Sequence, residues 1–196
     1  LLVKIVTIGT LFMLPLGALV VAGVRRDYRE ESRLRPRTVA AVWGLYILHL
    51  ALTLASVWLH ALPLPTPAWL RWGLGLPLLA VGVGLSLSGT LAFHSFGLMS
   101  GRATDRLVVS GVYRISRNPQ NVGWWLAMVG MSWLGATALG LIQAAVFWAL
   151  FAGYITIEEA FLSRTYGVRY RSYMKLAPRF LGWPGGAVQM MESGDG

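Results

Sequence analysis

Residues 122–157 read VGWWLAMVGMSWLGATALGLIQAAVFWALFAGYITI, a stretch whose apolar character is almost continuous. A membrane helix needs roughly 20 apolar residues to cross a hydrocarbon core of about 30 Å. Residues 122–157 are too many for one straight crossing, and Leu134-Gly135-Ala136-Thr137 marks their middle. The stretch therefore predicts a helical hairpin with a short first arm that reaches only part of the way across.

Toward the N-terminus the same ruler gives three more spans, from about Ile5 to Val24, Val39 to Leu62 and Trp69 to Phe93. The first is longer than the roughly 7–15 apolar residues of a signal peptide and is followed by further spans, so it is read as retained. Pro63-Leu64-Pro65-Thr66-Pro67 is a tight break that suits two antiparallel helices. The expected fold is all-α: a polytopic membrane protein of about five transmembrane segments, the last two forming a helical hairpin, with a cytoplasmic C-terminal helical tail from about Phe161. One membrane domain is expected, with three N-terminal spans (1–93), a core of loop, hairpin and tail (94–184) and a flexible C-terminus (185–196).

Composition agrees. The chain is 56% hydrophobic and 13% charged, against about 45–50% and about 25% in soluble domains, which excludes a polar or disordered protein. With no cysteine there is no disulfide framework, Cys-ligated zinc, iron–sulfur cluster or thiol nucleophile.

The net charge of +9 is chiefly a topology signal. Segments Arg25–Arg37, His94–Asn121 and Phe161–Gly196 share one side if every span crosses, and they hold 15 of the 17 Lys and Arg, leaving Lys4 and Arg71 opposite. The positive-inside rule then puts the N-terminus outside and the C-terminus in the cytoplasm, as in a bacterial inner membrane. No nucleic-acid partner is implied. The run Arg25-Arg26, Arg29, Arg33, Arg35, Arg37 could also hold anionic lipid headgroups, although topology accounts for it more economically.

Three polar constellations sit on that side. Glu158 and Glu159 close the fifth span, where a carboxylate costs free energy unless it is paired or functional. The plain reading pairs them with Arg164 or Arg169; the functional one turns at least one toward an inner cavity to bind a cation. Adjacent helical residues point about 100° apart, which argues against one shared role. Second, Asn118 is a good N-cap type and Pro119 suits a first helical turn, with Arg114 and Arg117 beside them; such a terminus attracts anions. Third, Tyr166, Tyr170 and Tyr173 would form one helical stripe, a pattern more common in interfacial belts than in cofactor walls. His49 and His60, three turns apart along one side, and His94 have no metal-ligand spacing. In the third span Gly75, Gly82, Gly84, Ser86, Ser88 and Gly89 keep the helix thin for close packing.

In order, Gly111-Val112-Tyr113-Arg114, Arg117-Asn118-Pro119, Gly123, Glu158-Glu159, Tyr166-Gly167, Tyr170, Tyr173 and Pro178-Arg179 resemble the integral-membrane methyltransferases that include isoprenylcysteine carboxyl methyltransferase and the phospholipid N-methyltransferases. The resemblance covers about Leu91 to Pro184. Two positions depart from the pattern: Asn118 stands where many members have His, and Asn121 where they have Tyr. The resemblance implies S-adenosylmethionine as cofactor, S-adenosylhomocysteine as product and a lipophilic or small membrane-soluble acceptor. It marks Glu158, Glu159 and Arg179 as catalytic, and Tyr113, Arg117, Asn118, Pro119, Gln120, Asn121, Gly123, Glu158, Glu159, Tyr166 and Tyr170 as cofactor-binding. On that reading a glutamate takes the cofactor's ammonium, Arg117 or the helix terminus at Pro119 its carboxylate, and Tyr113 with the tail tyrosines its adenine. The competing readings are a sterol-reductase-type enzyme, using Arg114, Arg117 and Arg169 against NADPH phosphates, and a non-enzymatic scaffold.

Overall fold

The computed structural model describes residues 1–93 and 107–183. His94, the 94–106 part of the expected core and the expected flexible C-terminus lie outside the described residues. The helices are α1 (Leu2–Glu30), α2 (Pro36–Trp58), α3 (Ala68–Leu91), α4 (Pro119–Leu134), α5 (Ala138–Thr165) and α6 (Val168–Leu176), with a 3-10 turn at Gly111–Arg114 before α4. Among the described residues there is no strand.

Four helices, α1, α2, α3 and α5, are long and apolar enough to cross a membrane. The short first arm of the hairpin is α4, which at about 1.5 Å per residue extends about 24 Å. The hairpin turns where expected, over Gly135-Ala136-Thr137, with Ala136 at φ +47°.

Helix boundaries moved where local chemistry outweighed hydropathy. The first helix continues through Arg25–Glu30, beyond the apolar run. The second starts at Pro36, whose lost N–H costs nothing in a first turn, and ends at Trp58, with His60 and Leu62 at positive φ. His60 is thus outside the helix and shares no face with His49. His49 is fully buried, accepts the Trp124 Nε1–H at 3.2 Å on Nδ1 and stacks on Phe147.

Helices α3 and α4 form the tightest pair. A Cβ on Gly82 would lie 2.3 Å from the Ala127 nitrogen, and one on Gly123 2.4 Å from the Ser86 nitrogen, so the two backbones touch directly. Around Gly84, by contrast, a Cβ would meet nothing within 4 Å, so the small-residue stripe is functional in packing on one face only.

The connectors at one end of the bundle clasp each other. Leu64 N–H donates to Ala136 O and Ala138 N–H to Leu62 O, both at 2.8 Å, and Thr137 Oγ1 donates to Ala61 O at 2.5 Å. Arg71 caps the end of α4 through Leu134 O, at 2.6 Å from Nη2 and 3.1 Å from Nε. Nearby, buried Gln143 of α5 donates through Nε2 to Thr10 Oγ1 of α1 at 2.8 Å and to Ser56 Oγ of α2 at 2.9 Å. The opposite end opens into a cavity.

Candidate active site

The α4 entrance and the tail are tied together backbone to backbone. Arg117 N–H donates to Pro178 O at 2.9 Å and Gly182 N–H to Ile115 O at 3.1 Å. Asn118 sits at the N-cap position of α4, but its side chain caps nothing there; Nδ2 donates to Arg179 O at 2.9 Å. The expected capping role is therefore replaced by a tail-docking role, and the first N–H groups of α4 are left without a side-chain cap.

Arg117 is the cross-tie. It is 8% exposed and donates to Glu159 Oε1 from Nη2 at 2.6 Å and Nε at 3.1 Å, and from Nη1 to Met174 O at 2.9 Å and Ala177 O at 2.8 Å. Arg179 approaches the other carboxylate oxygen of Glu159, with Nη2 at 2.5 Å. Glu159 thus lies between two guanidiniums, neither of them the Arg164 or Arg169 of the plain reading. Buried carboxylates of this kind are tolerable only when so matched.

Glu158 points elsewhere. Among the described residues no cation pairs with it; Tyr154 Oη, one helical turn earlier, donates to its Oε1 at 3.2 Å. Tyr28, on the same cavity wall as Tyr154, stacks on Phe161 with ring centroids 4.0 Å apart. The two adjacent glutamates have separate surroundings, one saturated with positive charge and one facing tyrosine.

A cavity of about 370 Å³ opens at this end. Its walls include Tyr113, Arg117, Asn118, Gln120, Asn121, Glu158, Glu159, Tyr166 and Tyr170, together with Val20, Val42, Phe147, Leu150 and Phe151. Three sequence-stated site residues lie outside its lining. Pro119 is buried as the first residue of α4 and Gly123 is spent on the contact with α3. Arg179 reaches the site through Glu159.

The tail tyrosines are not an interfacial belt. Tyr170 and Tyr173 are each 2% exposed, in a core with Leu107, Val109 and Tyr113, while Tyr166 lies at the C-cap of α5, outside α6. Tyr173 Oη donates to Tyr113 O at 2.6 Å. Burial raises the hydroxyl pKa of Tyr113, Tyr170 and Tyr173, so all three remain neutral donors at physiological pH.

Sequence reasoning missed Tyr28, Tyr46, Trp124 and Tyr154, all of which line the cavity. Tyr46 Oη donates to Asn121 Oδ1, so the Asn that replaces the usual Tyr has a partner from α2. The available signal was Tyr154, a polar group four residues before Glu158 on an otherwise apolar helix. Tyr46 had none, because its partner lies 75 positions away.

A family description of phospholipid methyltransferases matches residues 70–169. The chain belongs to that family. It is similar to the protein-S-isoprenylcysteine O-methyltransferase of Schizosaccharomyces pombe, with 36% identity over 81 residues, 40% of this chain and 34% of that protein. It is also similar to protein-S-isoprenylcysteine O-methyltransferase A of Arabidopsis thaliana, with 37% identity over 68 residues, 34% of each. The matched stretches therefore span about a third of each curated relative. No solved structure gives a significant match. The phospholipid methyltransferase match runs from α3 into α6, so Glu158, Glu159 and Arg117 fall inside it, while Arg179 lies beyond its end. Membership of a membrane methyltransferase family agrees with the four long apolar helices and favours methyl transfer over the reductase and scaffold readings.

Proposed function

We propose that this chain is an S-adenosylmethionine-dependent methyltransferase that acts within the membrane on a lipophilic acceptor. The observation that carries the reading is Glu158: a carboxylate on the wall of a largely apolar cavity, with a tyrosine hydroxyl but no cation as partner among the described residues. The cavity's donor set fits the cofactor. Glu158 suits its ammonium, since Glu159 is already matched by Arg117 and Arg179. The uncapped N-terminus of α4, where Gln120 and Asn121 line the cavity, suits its carboxylate. The aromatic walls suit adenine.

When bound, the cofactor supplies a methyl group on a sulfonium, already activated toward displacement. The protein's contribution is alignment and exclusion of water. Arg117 fixes the tail carbonyls of Met174 and Ala177 against the α4 entrance, and Glu159 holds Arg117 and Arg179 together beneath them. Catalytic roles for Glu158, Glu159 and Arg179 then divide into one ligand-facing group and one positioning pair. The basic segments support a cytoplasmic mouth and an external N-terminus, with α4 as a fifth, partial membrane segment. Acceptor chains would enter among the apolar residues of α1, α2 and α5.

Titration of the purified protein in detergent with S-adenosylhomocysteine tests the reading. Binding is expected, and Glu158→Gln should weaken it by about 1.5–3 kcal/mol, the worth of a hydrogen bond to a charged group. No binding by the wild-type protein would overturn the proposal; unchanged affinity in the variant would overturn the ammonium assignment. Incubation with labelled cofactor and a lipid extract, followed by mass identification of the product, would name the acceptor.

A further inference from the structure

Three side-chain amides stand at the start of α4, and each is oriented by a different part of the fold. Asn118 Nδ2 donates to Arg179 O of the tail at 2.9 Å, and Gln120 Nε2 donates to Thr90 Oγ1 of α3 at 3.0 Å. Both engage their nitrogen with the protein. Asn121 is reversed: its Oδ1 accepts the hydroxyl of Tyr46, from α2. An Asn side chain carries one acceptor oxygen and one NH2 donor group, so a hydroxyl bound at Oδ1 leaves the donor over. Asn121 lines the cavity, and among the described residues nothing accepts from its Nδ2. The guanidinium nearby offers no substitute, because Arg117 is turned to Glu159, Met174 O and Ala177 O.

Tyr46 reaches Asn121 from a fixed position. Its ring meets Trp124 of α4 edge-on, with centroids 5.1 Å apart and planes at 72°, and Phe147 of α5 at 5.4 Å and 71°. Trp124 is itself tied back to α2, where its Nε1–H donates to His49 Nδ1 at 3.2 Å. Positions 46 and 49 on α2, and 121 and 124 on α4, are each about one turn apart. Two side-chain hydrogen bonds on neighbouring turns therefore join the same two helices, and rings from two other positions aim the Tyr46 hydroxyl.

We propose that Tyr46 is a positioning residue: by occupying Asn121 Oδ1 it turns the amide so that Nδ2 donates to the carboxylate of the bound cofactor. The inference rests on the assignment of that carboxylate to the start of α4, and adds the side chain that donates and the residue that aims it. The two orientations of an amide have nearly the same shape and opposite polarity. Without the phenol hydroxyl the amide is free to turn over and present its oxygen to an anion, which repels it. One hydroxyl on α2 thus selects the polarity of a wall built on α4.

The test titrates the whole chain in detergent with two probes, S-adenosylhomocysteine and its decarboxylated analogue, which keeps the ammonium, thioether and adenosine and lacks only the carboxylate. Wild type should prefer S-adenosylhomocysteine. Tyr46→Phe, which keeps the ring and its packing, should lower that affinity about two- to tenfold, the range for one neutral hydrogen bond, and change binding of the analogue by less than about twofold. Asn121→Asp keeps an acceptor for Tyr46 but exchanges the donor for a negative oxygen. It should lower S-adenosylhomocysteine affinity at least about tenfold, the lower limit for a hydrogen bond to a charged group, with the analogue bound no more weakly. Wild type that binds neither probe would overturn the cofactor reading and this proposal with it. Wild type that binds both equally would leave the cofactor reading standing and overturn the carboxylate contact. Equal losses for both probes in Tyr46→Phe would show that the hydroxyl only braces α2 against α4, and unchanged or tighter S-adenosylhomocysteine binding by Asn121→Asp would show that Oδ1 faces the ligand; either overturns the proposal.

Discussion

Both ends of the bundle bury polar groups, and they handle them differently. At the connector end, Thr137 donates to Ala61, Arg71 to Leu134, Leu64 to Ala136 and Ala138 to Leu62, so that the polar atoms stop helices and join loops. At the mouth, charge is concentrated and unevenly matched: Glu159 has two arginines while Glu158 has a tyrosine. Hydrogen bonds to backbone carbonyls close a fold. A carboxylate facing a cavity without a countercharge has desolvation to recover, and a cationic ligand supplies the recovery. The difference in matching, rather than the amount of buried polarity, separates the end that carries the candidate site from the structural one.

The sharpest way to break the comparison is at Arg117. Arg117→Met removes a cation from a matched buried pair and two tail contacts at once, and should destabilise the protein by about 3–5 kcal/mol. Thermal unfolding in detergent measures this, and limited proteolysis should show the 168–183 segment cleaved first. A change below about 1 kcal/mol, small beside the range for a broken buried pair, would mean that the tail is held by other contacts and that the Glu159 clamp is incidental.

Next is the platform on which the mouth stands. Gly82→Val would place a side chain on the backbone of Ala127, and overpacking of this kind costs about 1–3 kcal/mol. Because α4 carries Gln120 and Asn121 into the cavity, the same change should also weaken S-adenosylhomocysteine binding. Gly84→Ala, where a Cβ meets nothing, should affect neither stability nor binding. If both substitutions behave alike, direct contact between α3 and α4 does not position the site.

These two positions also show what was legible beforehand. Hydropathy carried the helices and the hairpin because lipid-facing surface is apolar whether or not its partners are known. The order Asn118-Pro119, Glu158-Glu159, Pro178-Arg179 pointed to residues that the fold brings together at the candidate site. What could not be read was pairing across long separations. Asn118 looked like a helix cap, and only the fold reveals that the carbonyl of Arg179 competes for its amide. Gly82 and Gly84 are the same residue two positions apart, and only the approach of α4 distinguishes them. Tyr170 and Tyr173 looked like interfacial anchors because nothing local indicates that Leu107 and Val109 return to cover them.

At the connector end, Arg71→Gln should cost about 1.5 kcal/mol, near the lower limit for hydrogen bonds made by a charged group. It should leave S-adenosylhomocysteine affinity unchanged, because Leu134 is at the far end of α4 from Gln120. Reduced affinity without further loss of stability would mean that the two ends are coupled through α4, and the division between them would have to be abandoned.

Apart from Gly84→Ala, the smallest loss of stability is expected at Gln143, although it is fully buried and links three helices. Its Nε2 donates to Thr10 Oγ1 and Ser56 Oγ, and those hydroxyls donate to Val6 O and Leu52 O of their own helices. Replacement by Leu therefore strands no donor: Thr10 and Ser56 keep their backbone partners and lose only an incoming bond. Interhelical hydrogen bonds inside membrane proteins average about 0.6 kcal/mol, so two of them come to about 1.2. Against that loss, Gln143 Oε1 is buried without a partner among the described residues, and removing an unsatisfied acceptor recovers about 1–3 kcal/mol. On this balance Gln143→Leu should lie between a loss of about 0.2 kcal/mol and a gain of about 1.8 kcal/mol in unfolding free energy. Glu159→Leu, by contrast, leaves the buried guanidinium of Arg117 without its countercharge, while Arg179, 46% exposed, turns to water; breaking the buried pair should cost about 3–5 kcal/mol. A costly Gln143→Leu beside a mild Glu159→Leu would invert the distinction between the two ends.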